Sequence, residues 1–163
     1  MSEFKKQVEA FFFRAMQAGY AQVGRTTAPV AEMPSSKSIP FREGDWYLLD
    51  VWFTNRESGK SAGTTQIWYK GQLVWFMHYW GYYEERAVPF LKSALRQQYG
   101  YEAFCGGRGP RITRYRTGDE YLIYRNQPES NDFGDFHGSE EIMDASGGIE
   151  VLGYHEYMGR MLV

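Results

Sequence analysis

Apolar positions recur along the chain with two periods. Phe4, Val8, Phe11, Phe12, Ala15 and Met16 fall three or four apart, one stripe of a helix that Ser2 can cap and that Gly19 and Gly24 can end. From residue 45 the pattern turns strand-like: DWYLLDVWFTN (45–55), TTQIWY (64–69) and QLVWFMHYW (72–80). RESGKSAG and the tight turn Lys70-Gly71 join them into a three-stranded antiparallel meander. The helical period returns in EERAVPFLKSALRQQY (84–99), where Val88, Leu91 and Leu95 share a face and Pro89 suits the first turn. Strand signals resume at 114–115, 120–125, 139–143 and 149–157. Residues 26–44 carry three prolines and no clear period, and read as an ordered loop or a lid.

The two strand groups echo each other. Gly63-x-x-x-Ile67 matches Gly138-x-x-x-Ile142, Gly71-x-x-Val74 resembles Gly148-x-x-Val151, and Tyr79-x-Gly81 matches Tyr157-x-Gly159. The expectation is one α+β domain over residues 1–163: two antiparallel three-stranded meanders, each preceded by a helix. That is an internal αβββ duplication of about 75 residues, with the helices packed on the sheet. Val74 to Tyr79 is five residues and Val151 to Tyr157 six, so a bulge near Gly153 is needed to keep both strands in phase.

LVWFMHYWGYY (73–83) poses the main problem. Alternation puts Leu73, Trp75, Met77 and Tyr79 on one face and Val74, Phe76, His78 and Trp80 on the other, and both sets are bulky. The helices can cover one face. The other needs the 26–44 segment, a ligand or a second copy of the chain, because so large an apolar patch is unusual on a soluble monomer. Asp50 lies among apolar neighbours and needs a partner, which an arginine from 108–116 could supply.

Aromatic content changes the picture more than charge does. Eleven Phe, 13 Tyr and 5 Trp make 18% of the chain, suited to a core or to ligand-binding walls. Eighteen basic against 20 acidic residues give a net charge of −2, with no electrostatic reason to expect nucleic acid or an anionic membrane as partner. One cysteine, Cys105, allows no internal disulfide, and MSEFKKQVEAFFF is no signal peptide; a cytoplasmic protein is expected. No metal-ligand spacing links His78, His137 and His155. His78 reads first as a hydrogen-bonded pocket or core histidine; haem ligation is the one cofactor conceivable, and none is otherwise expected. GGRGPRITRYR (106–116) is the basic concentration, with Arg108 and Arg111 as anion or ion-pair residues; ordinary ion pairs are the commoner outcome.

Several of these stretches together resemble a bacterial family of uncharacterised proteins, a domain of unknown function. They are Ala18-Gly19-Tyr20-Ala21, Arg42-Glu43-Gly44-Asp45, Leu49-Asp50-x-Trp52, Gly71-x-x-Val74-Trp75-x-Met77-x-Tyr79-x-Gly81, Phe90-Leu91-Lys92-x-Ala94-Leu95, Arg108-Gly109-Pro110 and Phe136-x-Gly138-x-Glu140-x-Ile142. Domains of that family occur alone or behind helix-turn-helix domains of predicted regulators. This chain starts at the domain's own first helix, so the resemblance does not imply DNA binding here. It implies no established activity either. Thr65 and His78 depart from residues usual in the family.

The functional expectation is a small-molecule binding or sensing module with an aromatic-lined pocket for a small apolar or aromatic ligand. Trp52, Trp75, Tyr79 and Tyr157 would form walls, while Asp50, His78 and Glu140 would orient the ligand. The alternative is a homodimeric interaction module that buries the aromatic sheet face. An enzyme using Glu140 or His78 as general base ranks last, because no complete catalytic constellation accompanies either residue.

Overall fold

A computed structural model describes residues 2–163. Helix α1 (Glu3–Gln17) starts where expected, with Ser2 Oγ accepting a hydrogen bond from the Lys5 amide at 3.2 Å. Five strands follow: β1 (Ala28–Val30), β2 (Met33–Glu43), β3 (Trp46–Thr54), β4 (Lys60–Tyr69) and β5 (Gln72–Tyr83). A 3-10 turn (Glu85–Ala87) leads into α2 (Val88–Gly100), with Pro89 in its first turn, where a missing amide hydrogen costs nothing. Four more strands complete the chain: β6 (Ile112–Thr117), β7 (Glu120–Asp132), β8 (Asp135–Asp144) and β9 (Glu150–Met161).

The class is α+β, but the strands form one nine-stranded antiparallel sheet in the order β1-β2-β3-β4-β5-β9-β8-β7-β6. The expected meanders merge where β5 pairs with β9, from Trp75 opposite Met161 to Tyr83 opposite Gly153. An αβββ duplication is not evident, since five strands follow α1, four follow α2, and all share one sheet. The expected bulge does occur: Ile142 faces Gly153 and Met143 faces Val151, which leaves Leu152 as the extra residue.

The 26–44 segment is not a loop. It supplies β1 and β2, and β2 pairs with β3 from Lys37 opposite Trp52 to Glu43 opposite Trp46. Proline is tolerated because β1 reaches only to Ser38. Pro40 has a strand on one side alone, and its carbonyl accepts from Arg25 Nη2 at 3.2 Å. The predicted turn 56–63 is also shorter, since Lys60–Gly63 belongs to β4.

Both helices cover the same face. Phe11 stacks on Trp46, and Phe12 meets Trp75 and Tyr99, so α1 joins both ends of the core. Trp75, Met77, Leu91, Leu95, Ile142 and Tyr124 are buried between helices and sheet. Among the described residues no helix is long and apolar enough to cross a membrane.

Candidate functional site

Two side-chain rows on the helix-covered face build the site. One runs Trp52, Gly63, Tyr79, Tyr157, Gly138 across β3, β4, β5, β9 and β8. The next runs Thr54, Ser61, Gly81, His155, Glu140, Asn126, ending on β7. In each row a glycine lets a long polar side chain cross an intervening strand. A Cβ at Gly63 would lie 2.5 Å from the Tyr79 hydroxyl; without it Tyr79 crosses β4 and donates to Asp50 Oδ1 at 3.1 Å. A Cβ at Gly81 would lie 2.8 Å from His155 Cδ2; without it His155 Nε2 reaches Ser61 Oγ at 3.0 Å. Gly138 likewise lets Tyr157 cross β8 and donate to Asn126 Oδ1 at 2.6 Å.

The loop after α2 lies over these rows. Gly106 and Gly107 take positive φ, Tyr99 donates to the Gly107 carbonyl at 3.0 Å, and the Gly109 amide donates to Tyr124 Oη at 2.9 Å. Thus fixed, the loop buries Arg108, whose Nε donates to Glu140 Oε1 at 2.9 Å and whose Nη2 donates to the same oxygen. Tyr124 donates to Oε2. Burial alone would raise the Glu140 pKa; the Arg108 charge and its hydrogen bonds hold it down at about 2.

Asp50 has no such partner. It is 5% exposed, and its bonds from Thr65 (3.0 Å) and Tyr79 both fall on Oδ1. Burial pushes its pKa up, against the Thr65 and Tyr79 hydrogen bonds and the more distant Arg108 charge. The arginine expected for Asp50 is therefore committed to Glu140 instead.

Asp50 lines a cavity of about 130 Å³ between the sheet and the helices. Tyr20, Trp52, Tyr79, Tyr83 and Tyr99 are its aromatic walls, Leu91 and Leu95 of α2 close one side, and Ser61, Arg108 and His155 add polar groups. Tyr20 and Trp52 meet edge to face at 5.4 Å, and Arg108 Cζ lies 5.1 Å from the Tyr79 ring centre. The buried Tyr83 hydroxyl has no hydrogen-bond partner among the described residues. Outside, a wider vestibule is rimmed by Arg25, Lys37, Arg56, Lys92, Glu84 and Glu85.

The candidate residues are thus divided. Asp50, Trp52 and Tyr79 line the cavity, with Arg108. Glu140 stands behind Arg108, and Tyr157 is buried against Asn126. Trp75 lies in the core, its indole donating to the Phe133 carbonyl at 3.0 Å. His78 is on the opposite sheet face between Phe76 and Trp80. Arg111 is exposed and forms no ion pair among the described residues. Tyr20, Ser61, Tyr83 and His155 are not among the residues the sequence singles out as a site; Gly81, on the strand paired with His155, makes room for it, but that pairing leaves no signal in the sequence.

Chemically, Ser61, His155 and Glu140 line up like a nucleophile relay, yet the charges oppose it. His155 Nδ1 faces Arg108 Nη2 at 3.4 Å and Glu140 Oε1 at 3.6 Å. A guanidinium can only donate, and Glu140 Oε1 at 3.6 Å is beyond hydrogen-bond range, so the contacts fit the tautomer in which Nδ1 carries the lone pair and Nε2–H donates to Ser61. Ser61 then keeps its proton, and burial lowers the His155 pKa further. Glu140, occupied by three donors and held near 2, is a poor base. Cys105 is buried beside Asn126 with its pKa raised by burial, the wrong direction for a nucleophilic thiolate. No group of three His, Cys, Asp or Glu among the described residues is arranged to hold a metal.

A family model described as "Domain of unknown function (DUF5680)" matches residues 51–159. The chain belongs to this family. No curated protein and no solved structure matches it. The DUF5680 match contains Trp52, Ser61, Tyr79, Arg108, Glu140 and His155, but starts one residue after Asp50 and leaves out Tyr20. The cavity of this DUF5680 protein is therefore assembled from the matched domain and from the segment that precedes it.

Proposed function

We propose that this DUF5680 protein is a small-molecule binding or sensing module, and that the cavity over Asp50 is its binding site. One observation carries the reading: a buried carboxylate without a cationic partner opens onto an aromatic-walled cavity. An unpaired buried carboxylate lowers stability, and a core evolved for stability alone would replace it with an apolar residue. The cavity combines many apolar walls with a few convergent polar groups, as ligand sites do. The contacts of His155 favour the tautomer that cannot take the Ser61 proton, and Glu140 is already bonded by three donors, so binding is favoured over catalysis. Thr54 at the cavity edge is exposed, and Thr54→Trp plugs the entrance without touching the core. In ligand-observed NMR with a library of small aromatic fragments, binders should compete for one site and lose their signal with Thr54→Trp. Binders indifferent to the plug would place recognition elsewhere and end this reading.

A second reading rests on the other sheet face. Phe53, Trp80, Tyr154 and Met158 are 37–46% exposed there, with His78 between Phe76 and Trp80. A homodimer that buries this face would cover the side of LVWFMHYWGYY that no helix reaches. Trp80→Glu should then halve the mass measured by light scattering; a monomeric parent chain would refute the dimer.

A further inference from the structure

The identity of the ligand can be narrowed by charge, and this step rests on the cavity being the binding site. We infer that the cavity takes a small organic cation, an amine or alkylammonium on a flat apolar or aromatic body, with its nitrogen against Asp50.

Four buried groups decide the local charge. Glu140 and Arg108 cancel each other through two hydrogen bonds to one carboxylate oxygen. His155, facing the guanidinium, is neutral. Asp50 is left as an uncompensated acid whose two protein donors, Thr65 and Tyr79, are both neutral hydroxyls on Oδ1. The buried cluster therefore lacks one positive charge, which an ammonium would bring. An anion would be repelled by Asp50, and Arg108, whose Nε and Nη2 are bonded to Glu140, has only Nη1 left to offer it.

The walls point the same way. Tyr20, Trp52, Tyr79 and Tyr83 line the same cavity as Asp50, and ring faces attract cations within about 6 Å; Arg108 already lies over the Tyr79 ring. An ammonium of the protein itself already uses one of them: Lys92 Nζ lies 4.4 Å from the Tyr20 ring centre, on the vestibule side. At about 130 Å³ the chamber is slightly smaller than cavities of roughly 150 Å³ that admit benzene, so one small ring is the upper limit for the body it encloses. The vestibule's basic excess does not contradict this. Its side chains are on the rim in water, where salt screens them over about 8 Å, so they slow the approach of a cation more than they weaken its bound state.

The test uses the full chain and three probes of one shape: benzylammonium, benzyl alcohol and benzoate. Calorimetry or NMR titration should rank benzylammonium at least ten-fold above benzyl alcohol, with benzoate weakest. Asp50→Asn, nearly isosteric, should bring the amine level with the alcohol. A ranking in which the alcohol or benzoate equals or exceeds the amine overturns the cation assignment. If those probes are also blocked by Thr54→Trp, the cavity remains the binding site and only its charge preference is wrong. If none of the three binds while other fragments do so at the cavity, the assignment again falls alone; if nothing binds there, both readings fall. The parent ranking decides by itself, so an Asp50→Asn chain that failed to fold would not shelter the inference.

Discussion

At the scale of single residues, Asp50 and Glu140 are two buried carboxylates with opposite effects on stability. Burial raises the folded pKa of Asp50 above its ordinary 3.8. The folded state then holds a proton that the unfolded state has released, so its contribution is full below 3.8 and is lost as pH rises through the folded value. Asp50→Asn should therefore melt at a higher temperature than the parent at pH 7 without ligand, with the gap closing below pH 4; a lower melting point at pH 7 would show that Asp50 has an unrecognised cationic partner. Glu140 runs the other way. Held at about 2 against an ordinary 4.5, it contributes above pH 4.5 and loses that contribution as pH falls toward 2. Arg108→Ala strands the Glu140 charge, and removing one partner of a buried pair costs roughly 3–5 kcal/mol. In urea unfolding at pH 7 that loss should shrink in Arg108→Met/Glu140→Met, which removes both charges; equal losses would mean that the shape of Arg108, rather than its charge, holds the loop.

At the scale of elements, the recurrent device is a glycine that gives way to a polar side chain from the adjacent strand. Gly63→Ala puts a methyl 2.5 Å from the Tyr79 ring and 2.7 Å from the Val51 carbonyl, in space that cannot open without moving backbone. A loss of about 1–3 kcal/mol is expected, as for other overpacked sites, together with weaker binding of cavity probes because Tyr79 no longer reaches Asp50. Gly71→Ala has open space but a strained turn at φ +80, so it should lose stability while leaving probe affinity unchanged. The same device explains what the sequence could convey. Helices α1 and α2 were legible because caps, proline and a three-to-four period are local signals, and the bulge at Leu152 was legible because a one-residue mismatch flips a face. The β5–β9 pairing was not, because a contact between residues 75–83 and 153–161 leaves no trace in either period. Ser61 was hidden by its setting, RESGKSAG, whose turn-like composition masked the start of β4. Residues 26–44 misled in the same way: proline argues against a central strand, but says little about an edge.

At the scale of the whole molecule, the sheet separates two aromatic surfaces that the sequence presents as one run. Trp75, Met77 and Tyr79 turn toward the helices and Phe76, His78 and Trp80 away from them, so neighbours in LVWFMHYWGYY belong to different environments only a strand's thickness apart. Substitutions on the two faces share no side-chain partners, and sites without shared partners usually act additively. If the outer face is a dimer interface, Trp80→Glu should change the oligomeric mass and leave the affinity for benzylammonium within about two-fold of the parent, while Asp50→Asn should do the reverse. The combined variant, measured by light scattering and calorimetry, should show both effects at their separate sizes. A coupled result would be informative in a specific place. Gly81 and His155 are the pair at which β5 and β9 hold the cavity row, and the Gly81 backbone is the neighbour of Trp80 in the same strand. If charge at Trp80 weakens amine binding, the disturbance has passed through that backbone to His155 and Ser61. The outer face would then act as a control surface for the cavity, through the one strand that carries residues of both.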